Sequence, residues 1–515
     1  MRILAKEEAN FIDQWAPTKG HLPLAVLMEN AGRGVAEAIV TAFEEKEGPL
    51  EVVIVAGKGN NGADGLVAAR QLEEWGHEVR IVLPNNHKEG SALFQAQLAT
   101  VEALEIPVLT LADGDVFEAA DVIVDGLVGT GLQGDLQGPI LELLDRMDAH
   151  VDTYPDTLLV AIDVPSGLNA NTGAVATGAL GMDITVTFGA PKQGMCLYPG
   201  KSYCGEIIVK GLGFAWETAL LDESNDHFPT ELITADLVAA LLPEREPTAH
   251  KGSNGHTLII GGSDGMIGAP LLAAEAAIYT GAGKVTTVVP SNCLTMLQSK
   301  VMPEVMTGSF GNLLHLRMHS ADKEAVAMGP GLGRNEETTT LAKNFMTTTE
   351  VPLVIDADAL WALGHMDIVG MEFSKRERPV IMTPHPGEFA RLTGLTVDAI
   401  EANRIEVARQ FAIKYQVVLV LKGAPTVVAS PDGLVAVNSS GNEGMGTGGM
   451  GDALTGVIAS LLGQGLEEVE AAMVGVFLHG AAADELYESR QRGFTSSEVA
   501  REVPYVMTQL LELEE

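Results

Sequence analysis

The segment EVVIVAGKGNNGADGLVAARQLEEWGHEVRIVLP, residues 51–84, decides the fold of the first half of the chain. It opens with a β-branched run that ends in glycine, EVVIVAG, and closes with a second apolar run, EVRIVLP. The residues between these runs carry apolar side chains at helical spacing. A strand, a helix and a second strand in this order predict a βαβ unit.

The same alternation continues to residue 213. Residues 22–45 carry apolar positions at helical spacing and predict an amphipathic helix. Parallel strands with helices on both faces form a Rossmann-like, doubly wound α/β sheet, whose ligand crevice lies beyond the carboxyl ends of the strands. Four further apolar runs are typical of strands in such a sheet: ADVIVDGLVG (120–129), TLLVAIDVPSG (157–167), DITVTFGAPK (183–192) and GEIIVKGLG (205–213).

The pattern breaks between Gly213 and Gly255 into acidic, proline-bearing sequence around one short amphipathic helix. A junction at residues 214–228 would separate a domain of residues 1–213 from one of residues 229–515. A second α/β series follows, without a short internal repeat, so the two halves are expected to have different folds. Its apolar runs are HTLIIGG (256–262), KVTTVVP (284–290), AVAMGPG (325–331), PLVIDADAL (352–360), PVIMTPHPGE (379–388) and VVLVLKG (417–423).

Composition excludes several classes of partner. The net charge of -37, from 69 acidic and 32 basic residues among 515, would repel nucleic acid and an anionic membrane surface. The three cysteines lack a paired or metal-type spacing, which argues against a disulfide framework or a zinc site. The start of the chain lacks the apolar core of a signal peptide, and no apolar run reaches about 18 residues. We therefore expect a cytoplasmic protein that binds small molecules.

Gly57, Gly59 and Gly62 have G-x-G-x-x-G spacing directly after a predicted strand and before a predicted helix. This pattern ordinarily indicates a dinucleotide phosphate site. A usual NAD fold would add an acidic residue about 20 positions later, to hold the ribose. The next strand instead ends in Leu83, Pro84 and Asn85, which disfavours ordinary NAD binding.

Oxygen-bearing side chains follow three of the predicted strands. Their convergence would form a site for a hard cation or a pocket for a polar substrate. The alternative is that they cap helices and shape turns. The residues are Asn60, Asn61, Asp64, Asp125, Asp163 and Ser166.

Four motifs in this half, NNGADG, DGLVGTGLQG, DVPSGLNANTG and TFGAPK, resemble in order the epimerase domain of the NAD(P)H-hydrate repair family. The resemblance covers residues 1–213, and LMENAG (27–32) resembles the first helix of the family. It implies a potassium ion held by Asn61, Asp125 and Ser166. It also implies substrate contacts by Asp163 and by two runs: Asn60, Asn61, Gly62, Ala63 and Asp64, and Gly129, Thr130, Gly131, Leu132, Gln133, Gly134 and Asp135.

The implied reaction interconverts the R and S forms of a hydroxyl-bearing carbon on the hydrated nicotinamide ring, which requires a proton to be moved. Asp163 is the first acid/base candidate. Lys192 is the second, because it could hold a substrate phosphate or assist the proton transfer, although a solvated lysine is an equally simple interpretation.

A glycine-rich segment in the second half, GNEGMGTGGMGDALTG (441–456), precedes a predicted helix. Its backbone amides and the helix N-terminus could face an anion. Asp452 at the opening of that helix resembles the aspartate of ribokinase-like enzymes that takes a proton from an attacking hydroxyl. The alternative is a helix cap preceded by flexible glycines.

Further segments resemble the dehydratase domain of the same repair family over residues 229–515: HKGSNGHTLIIGGSDGMIGAP (250–270), GPGLG (329–333), DADAL (356–360), TPHPGE (383–388) and KGAPTVV (422–428). The resemblance implies a ribokinase-like domain with hydrate contacts at Ala269, Gly331, His385 and Asp452. Nucleotide contacts are implied for Lys422, Gly423, Ala424, Pro425 and Thr426, and for Asn442, Glu443, Gly444, Met445, Gly446, Thr447, Gly448, Gly449, Met450 and Gly451.

The implied dehydration consumes ADP or ATP with magnesium, and Asp452 acts as the base. Asp356 and Asp358 could help bind the cation or could cap a helix. His385 could contact the ring or pack in a turn. Glu443 departs from the proline or alanine that is commoner in the family, and we expect its carboxylate to face solvent, away from the nucleotide.

Two alternatives remain open at this level. The glycine loop and Asp452 would equally serve a small-molecule kinase, although the motifs of the first half argue against one. The first half could also bind nicotinamide nucleotides without turnover, as a sensor or scaffold. The family resemblance makes a higher homo-oligomer plausible.

Overall fold

The computed structural model describes residues 1–84, 90–131, 134–222, 227–370 and 373–512. It divides into two compact units, here called the first unit (Arg2–His227) and the second unit (Phe228–Glu515, together with Met1). Residues 214–222, expected to begin a linker, belong to the first unit, where Trp216 and Ala219 are buried in its core.

The first unit is a seven-stranded, fully parallel sheet in the order β3-β2-β1-β4-β5-β6-β7. This order confirms the doubly wound fold, since the sheet grows in opposite directions from β1 and β4. The strands are β1 Glu51–Ala56, β2 Glu78–Leu83, β3 Val108–Thr110, β4 Val122–Gly126, β5 Leu158–Ile162, β6 Ile184–Phe188 and β7 Glu206–Lys210. The helices are α1 Lys6–Thr18, α2 Leu24–Ala42, α3 Asn60–Glu74, α4 Ala92–Ala103, α5 Gly138–Thr153 and α6 Glu217–Leu220.

The register of the central strands positions the polar residues of the first unit. Val55 of β1 pairs with Asp125 of β4, and Asp125 pairs with Ala161 of β5. Strands β1, β4 and β5 are buried on both faces, as their continuous apolar runs require. Their carboxyl ends therefore meet at one edge, where the strand order reverses and a ligand crevice is expected.

The second unit is a ten-stranded sheet in the order β11-β10-β9-β12-β13-β14-β15-β16-β17-β8. It is parallel from β11 to β15, β16 is antiparallel to both neighbours, and β17 and β8 are parallel. The strands are β8 Thr230–Ile233, β9 His256–Ile260, β10 Lys284–Pro290, β11 Met306–Phe310, β12 Ala325–Met328, β13 Leu353–Ile355, β14 Ile381–Met382, β15 Val418–Leu421, β16 Val427–Ala429 and β17 Val435–Asn438.

Helices cover this second sheet. Helix α16 is buried along nearly its whole length and packs with α8, α17 and α18 in the main core. The helices are α7 Ala235–Leu241, α8 Gly268–Tyr279, α9 Leu294–Lys300, α10 Leu313–Ser320, α11 Glu336–Thr348, α12 Ala357–Gly370, α13 Pro386–Thr393, α14 Val397–Glu401, α15 Arg404–Tyr415, α16 Met450–Gly463, α17 Glu468–Ser489 and α18 Ser496–Glu512. Within the described ranges, no helix is long and apolar enough to cross a membrane.

Two candidate active sites

A cavity of about 650 Å³ lies at the carboxyl edge of the sheet in the first unit. It is lined by α1, by α2 and by the loops that follow β1, β4, β5 and β6. Eight of the residues singled out from the sequence line it together: Asn60, Asn61, Asp64, Gly129, Thr130, Gly131, Asp163 and Lys192. Gly62, Ala63, Gly134 and Asp135 are not among the lining residues, and Leu132 and Gln133 lie outside the described residues.

The three glycines of the G-x-G-x-x-G pattern have different roles. A Cβ at Gly57 would lie 1.9 Å from the Leu127 carbonyl oxygen, and one at Gly62 would lie 1.8 Å from the Gly57 oxygen. Both glycines are therefore needed for close backbone packing. Gly59 has open space where its side chain would be, directly before α3. The amides at the start of α3 consequently border the cavity, as anion binding would require.

Asp163 follows β5 and forms an ion pair with Lys192. The Lys192 ammonium also donates to Thr187 Oγ1 at 2.9 Å and to the Phe188 carbonyl at 3.2 Å, and Thr187 Oγ1 donates to Asp163 at 3.1 Å. Asp163 has a left-handed backbone with φ of 64°, which a residue with a side chain adopts only when its surroundings hold it there. The pair is thus fixed in one place on the cavity wall.

Two more carboxylates share this cavity. Asp13 of α1 lines it, where burial and the negative charge of Asp163 raise the pKa of Asp13 to about 6, against the opposing effect of Lys192. Burial, with the charges of Asp163 and Asp13, raises the pKa of Asp64 well above its ordinary value. Three carboxylates and two lysines, Lys58 and Lys192, therefore line the cavity, and burial and mutual repulsion favour the protonated forms of Asp13 and Asp64.

Asp125 and Ser166 lie fully buried behind the cavity wall. Asp125 accepts from the Ser166 hydroxyl at 2.7 Å, from the Ser166 amide at 2.8 Å and from the Leu127 amide at 3.1 Å. Burial raises the pKa of Asp125 although these hydrogen bonds oppose the rise. In the described parts of the chain no basic side chain pairs with this carboxylate, which is the electrostatic setting that a bound cation would complete.

Asn61 borders the same region, because a Cβ at Gly129 would lie 3.2 Å from Asn61 Cγ. The Asn61 side-chain nitrogen is buried without a hydrogen-bond partner. A half-turn of this amide would present its oxygen in place of the nitrogen. A carboxylate, a hydroxyl and an amide oxygen are ligands that suit a hard cation, so Asn61, Asp125 and Ser166 fit one.

The site of the second unit is organised by Lys422, which follows β15, and Asp356, which follows β13. Their ion pair measures 2.8 Å, and Asp356 also accepts from Thr383 at 2.8 Å and from Thr455 at 2.9 Å. Burial lowers the pKa of Lys422, but the surrounding carboxylates, Asp356 foremost, raise it above its ordinary value. The two threonines fix the Asp356 carboxylate, and the ion pair with Asp356 fixes the Lys422 ammonium and keeps it protonated.

Asp452 lies in the first turn of α16, whose preceding residue Gly449 gives no side-chain cap. Burial and the charge of Asp356 raise the pKa of Asp452 to about 6, although Lys422 opposes the rise. A Cβ at Gly451 would lie 3.1 Å from the Lys422 ammonium, which places that cation against the same helix turn. A base, a cation and uncapped helix amides are thus brought together.

The glycine loop before α16 is braced from α17. Asp484 accepts from the Gly441 amide at 2.8 Å and from the Asn442 side chain at 2.7 Å, and Asn442 accepts from the Gly444 amide at 3.0 Å. The Glu443 side chain is exposed and accepts from the Tyr487 hydroxyl, which lowers the pKa of Glu443. The expectation that Glu443 faces solvent is confirmed.

The loop of Lys422–Thr426 is held by the side chain of Arg404, at the start of α15. Arg404 is buried and donates to the carbonyls of Leu421 at 3.0 Å and Lys422 at 2.9 Å. Gly423, with φ of 149°, lies against this guanidinium, and a Cβ there would be 2.5 Å from it. Of the remaining members, Ala424 is exposed, Pro425 is buried and Thr426 donates to Gly423 at 3.2 Å.

Two of the predicted hydrate contacts are neighbours, since a Cβ at Gly331 would lie 3.1 Å from that of Ala269. Their loop is tied to Asp358, which accepts from the Gly333 amide at 2.9 Å and from Arg334 at 2.7 Å. Both oxygens of Asp358 therefore support the loop.

His385 caps α13, and its Nδ1 accepts from the Gly387 amide at 3.0 Å. Its side chain is 57% exposed. One nitrogen of the His385 ring thus caps the helix while the rest of the ring stays accessible. The ring can therefore cap the helix and contact a ligand at the same time.

Sequence reasoning missed Asp13, Thr383, Thr455 and Glu388. Glu388 adds a further negative charge that raises the pKa of Asp452. Thr383 and Glu388 stand within the quoted motif TPHPGE, and Thr455 is one helical turn after Gly451, whose carbonyl it contacts at 3.0 Å. Asp13 lies on a helix that was not predicted, and it gave no signal of its own.

Two family models match the chain. The model described as YjeF-related protein N-terminus matches residues 24–194, and the model described as NAD(P)H-hydrate dehydratase matches residues 257–505. Each match lies within one of the two units. The first includes the cavity residues from Asn60 to Lys192 but not Asp13, and the second includes Asp356, Lys422 and Asp452.

Full-length relatives carry both regions. A bifunctional NAD(P)H-hydrate repair enzyme of Moorella thermoacetica is 38% identical over 99% of this chain and 98% of its own length. Another, of Escherichia coli, is 36% identical over 90% of this chain and 86% of its own. The crystal structure of an ADP/ATP-dependent NAD(P)H-hydrate dehydratase from Bacillus subtilis, co-crystallised with ATP and Mg²⁺, is 36% identical, covers 54% of this chain and 98% of its own, and has a TM-score of 0.49.

Proposed function

The chain belongs to the family of bifunctional NAD(P)H-hydrate repair enzymes, and from that premise we propose how its two units divide the work. The first unit epimerises the R and S forms of NAD(P)H hydrate in its cavity. The second unit dehydrates the S form to NAD(P)H and consumes ADP or ATP. The observation that carries this division is the presence of one complete polar site in each unit.

In the first unit, Asp163 is the acid/base group that exchanges a proton with the substrate. Lys192 and Thr187 support this role because they hold the carboxylate at one point of the cavity wall. The amides at the start of α3 are suited to a substrate phosphate, and Asn60, Asp64 and the loop of Gly129–Gly131 would contact the rest of the substrate.

A potassium ion would be held by Asn61, Asp125 and Ser166. The unpaired buried charge of Asp125 and the unpartnered amide of Asn61 support this assignment. When bound, the ion would supply positive charge that fixes the loops after β1, β4 and β5. Among the described residues no cluster of three His, Cys, Asp or Glu side chains could hold a metal, which favours a cation with mixed oxygen ligands over zinc.

In the second unit, Asp452 takes the proton of the ring hydroxyl as its oxygen attacks the terminal phosphate of the nucleotide. The bond to the rest of the nucleotide breaks, so AMP leaves when ADP is used and ADP leaves when ATP is used. The carbon–oxygen bond of the phosphorylated ring then breaks and releases inorganic phosphate, and the neighbouring carbon loses a proton, which restores the ring double bond. The uncapped amides at the start of α16 and the Lys422 ammonium beside them would stabilise charge on the transferred phosphate.

Magnesium would accompany the nucleotide and neutralise its phosphate charge. The oxygens of Asp356 and Asp358 already accept hydrogen bonds from the protein, which supports positioning roles for both. A magnesium ion held mainly by phosphate oxygens and water is consistent with this arrangement. A cytoplasmic location and a homo-oligomeric state stay predictions.

The test uses the full chain with a mixture of R and S NADH hydrate, ADP or ATP and Mg²⁺, in potassium or in sodium buffer. Return of the reduced-nicotinamide absorbance should be complete in potassium and slower in its R-dependent part in sodium. Asp125→Ala should lower epimerisation at least about tenfold and weaken its potassium dependence, since metal sites respond that strongly even to loss of outer contacts.

In the same variant, dehydration of pure S hydrate should keep its rate. If both activities fell while the chain stayed folded, the assignment of two separate sites would be wrong. If neither activity were present in the wild-type chain, the proposed function itself would fail.

A further inference from the structure

The segment that leads into helix α1 is hydrogen-bonded to the backbone around Lys192, the ion-pair partner of Asp163. A parallel bridge joins Leu4 to Lys192: the Leu4 amide donates to the Pro191 carbonyl at 2.8 Å, and the Gln193 amide donates to Leu4 at 2.9 Å. The first amide of the helix, that of Lys6, donates to the Asn171 side chain at 2.7 Å. Asp13 therefore occupies a set position two turns into the helix, on the cavity wall.

The charged residues that line the cavity carry more negative than positive charge. They are Asp13, Lys58, Asp64, Asp163 and Lys192. Lys192 is committed to Asp163, and no hydrogen bond or ion pair within the described residues involves the Asp13 side chain. Among the described residues the Asp64 carboxylate likewise has no hydrogen-bond or ion-pair partner, and Asp13 is the more accessible of these two cavity-lining carboxylates.

Epimerisation at one carbon runs in both directions, which constrains the groups that perform it. The hydroxyl leaves from one face of the ring and water adds from the other. One group must therefore donate a proton while the other accepts one, and the reverse reaction exchanges their roles. Two carboxylates that repel each other and share a single proton meet this requirement.

We propose that Asp13 is the second catalytic residue of the epimerase site, acting on the ring face opposite to Asp163; this inference rests on the proposed function. In one direction protonated Asp13 donates to the hydroxyl oxygen, the carbon–oxygen bond breaks and water leaves. The ring nitrogen supplies the electron pair and carries the positive charge. Water then adds from the other face and gives its proton to Asp163, so one proton moves from Asp13 to Asp163.

The electrostatics of the cavity agree with this role. The pKa of about 6 for Asp13, which burial and Asp163 raise, keeps a proton within reach near neutral pH. As pH rises through this value, Asp13 loses its proton and epimerisation should decline. Besides Asp163, the charged groups that line the same cavity as Asp13 are Asp64, Lys58 and Lys192, and the charge of Lys192 opposes the rise in the pKa of Asp13.

The test is Asp13→Asn in the full chain, with exchange between pure R and S hydrate followed by chromatography at several pH values. We expect kcat to fall by about 100-fold or more, as for loss of a general acid. KM should change less than about threefold, because the amide keeps the shape of the side chain. The decline above pH of about 6 should disappear, and Asp13→Glu should recover part of kcat.

Two controls separate the possible outcomes. Dehydration of pure S hydrate by the same variant should equal that of wild type, which shows an intact chain. Asp148→Asn, at an exposed position on α5 outside the cavity lining, should leave kcat unchanged. If Asp13→Asn kept more than a third of the wild-type kcat, or changed KM alone, the inference would be overturned. Absence of epimerisation in wild type would instead overturn the proposed function.

Discussion

The two sites use the same electrostatic arrangement on unrelated sheets. Each contains one lysine paired with an aspartate that follows a strand, Lys192 with Asp163 and Lys422 with Asp356. Each also contains a second carboxylate, Asp13 or Asp452, whose pKa burial and the paired aspartate raise to about 6. Burial and a like charge thus prepare one group per site for proton transfer near neutral pH.

The two sites differ in whether the lysine-paired aspartate remains accessible to a ligand. The Asp163 side chain is 18% exposed and lines the cavity, whereas that of Asp356 is 2% exposed and is fixed by two threonines. Two aspartates can therefore act in the first unit, which suits a reversible exchange. In the second unit only Asp452, at a helix N-terminus, is proposed to act, which suits a transfer that the nucleotide drives in one direction.

The largest effect should come from Asp452→Asn, which tests whether the second site depends on one base. We expect dehydration to fall by about 100-fold or more, since the amide cannot accept the hydroxyl proton. Nucleotide binding, measured by calorimetry, should stay close to normal because the change is nearly isosteric. Asp398→Asn, at an exposed position in α14, is the matched control. Near-normal turnover would remove Asp452 from the mechanism.

A second experiment asks whether the two sites work independently. Full-length Asp163→Asn should consume the S form promptly and leave the R form to slow spontaneous exchange, so its progress curve becomes biphasic. Mixing it with an equal amount of Asp452→Asn should restore one complete phase, because the epimerised hydrate diffuses freely between chains. A mixture that stayed biphasic would show that the sites must act within one chain.

Lys422→Met should have a smaller, two-part effect. Loss of one charge-assisted phosphate contact of about 1.5–3 kcal/mol corresponds to at least about a tenfold weaker affinity for ADP. Lys422 also lowers the pKa of Asp452, so its loss should raise that pKa above about 6. Since the base acts when ionised, the acid limb of dehydration should move to higher pH. The pH profile of kcat measures this shift, and an unmoved limb would contradict the coupling.

The sequence predicted the strands that lie within continuous apolar runs. β1 and β4 read as continuous β-branched runs, and parallel pairing puts their polar ends together without further information. It did not predict β3, β8, β11, β16 and β17, which are short or, as in MTGSF of β11, mix polar residues and glycine with apolar ones and so lack a continuous apolar run. Four of these five strands lie at or next to a sheet edge, away from the residues proposed to react.

The sequence likewise predicted some residues of the two candidate sites and missed others. Asp163 and Asp452 stand beside glycine-rich motifs, so local sequence marked them. Asp13 reaches the cavity only because Leu4 pairs with Lys192, a contact across 188 positions that no local pattern encodes. The support of Lys422 by Asp356 likewise depends on the order of strands in the folded sheet.

The smallest effect should come from Glu443→Ala, which asks whether every carboxylate near a site takes part in it. Glu443 lies on the glycine loop, yet its side chain is exposed and its hydrogen bond goes to Tyr487, away from Asp452. Salt and water screen an exposed charge, so the KM for ADP should change less than about twofold at physiological ionic strength. Tyr487→Phe, which removes the same hydrogen bond and keeps the charge, should behave alike. A much lower KM in Glu443→Ala alone would mean that this carboxylate turns toward the phosphates when the nucleotide binds, and the loop would then have to rearrange from the conformation that Asp484 holds.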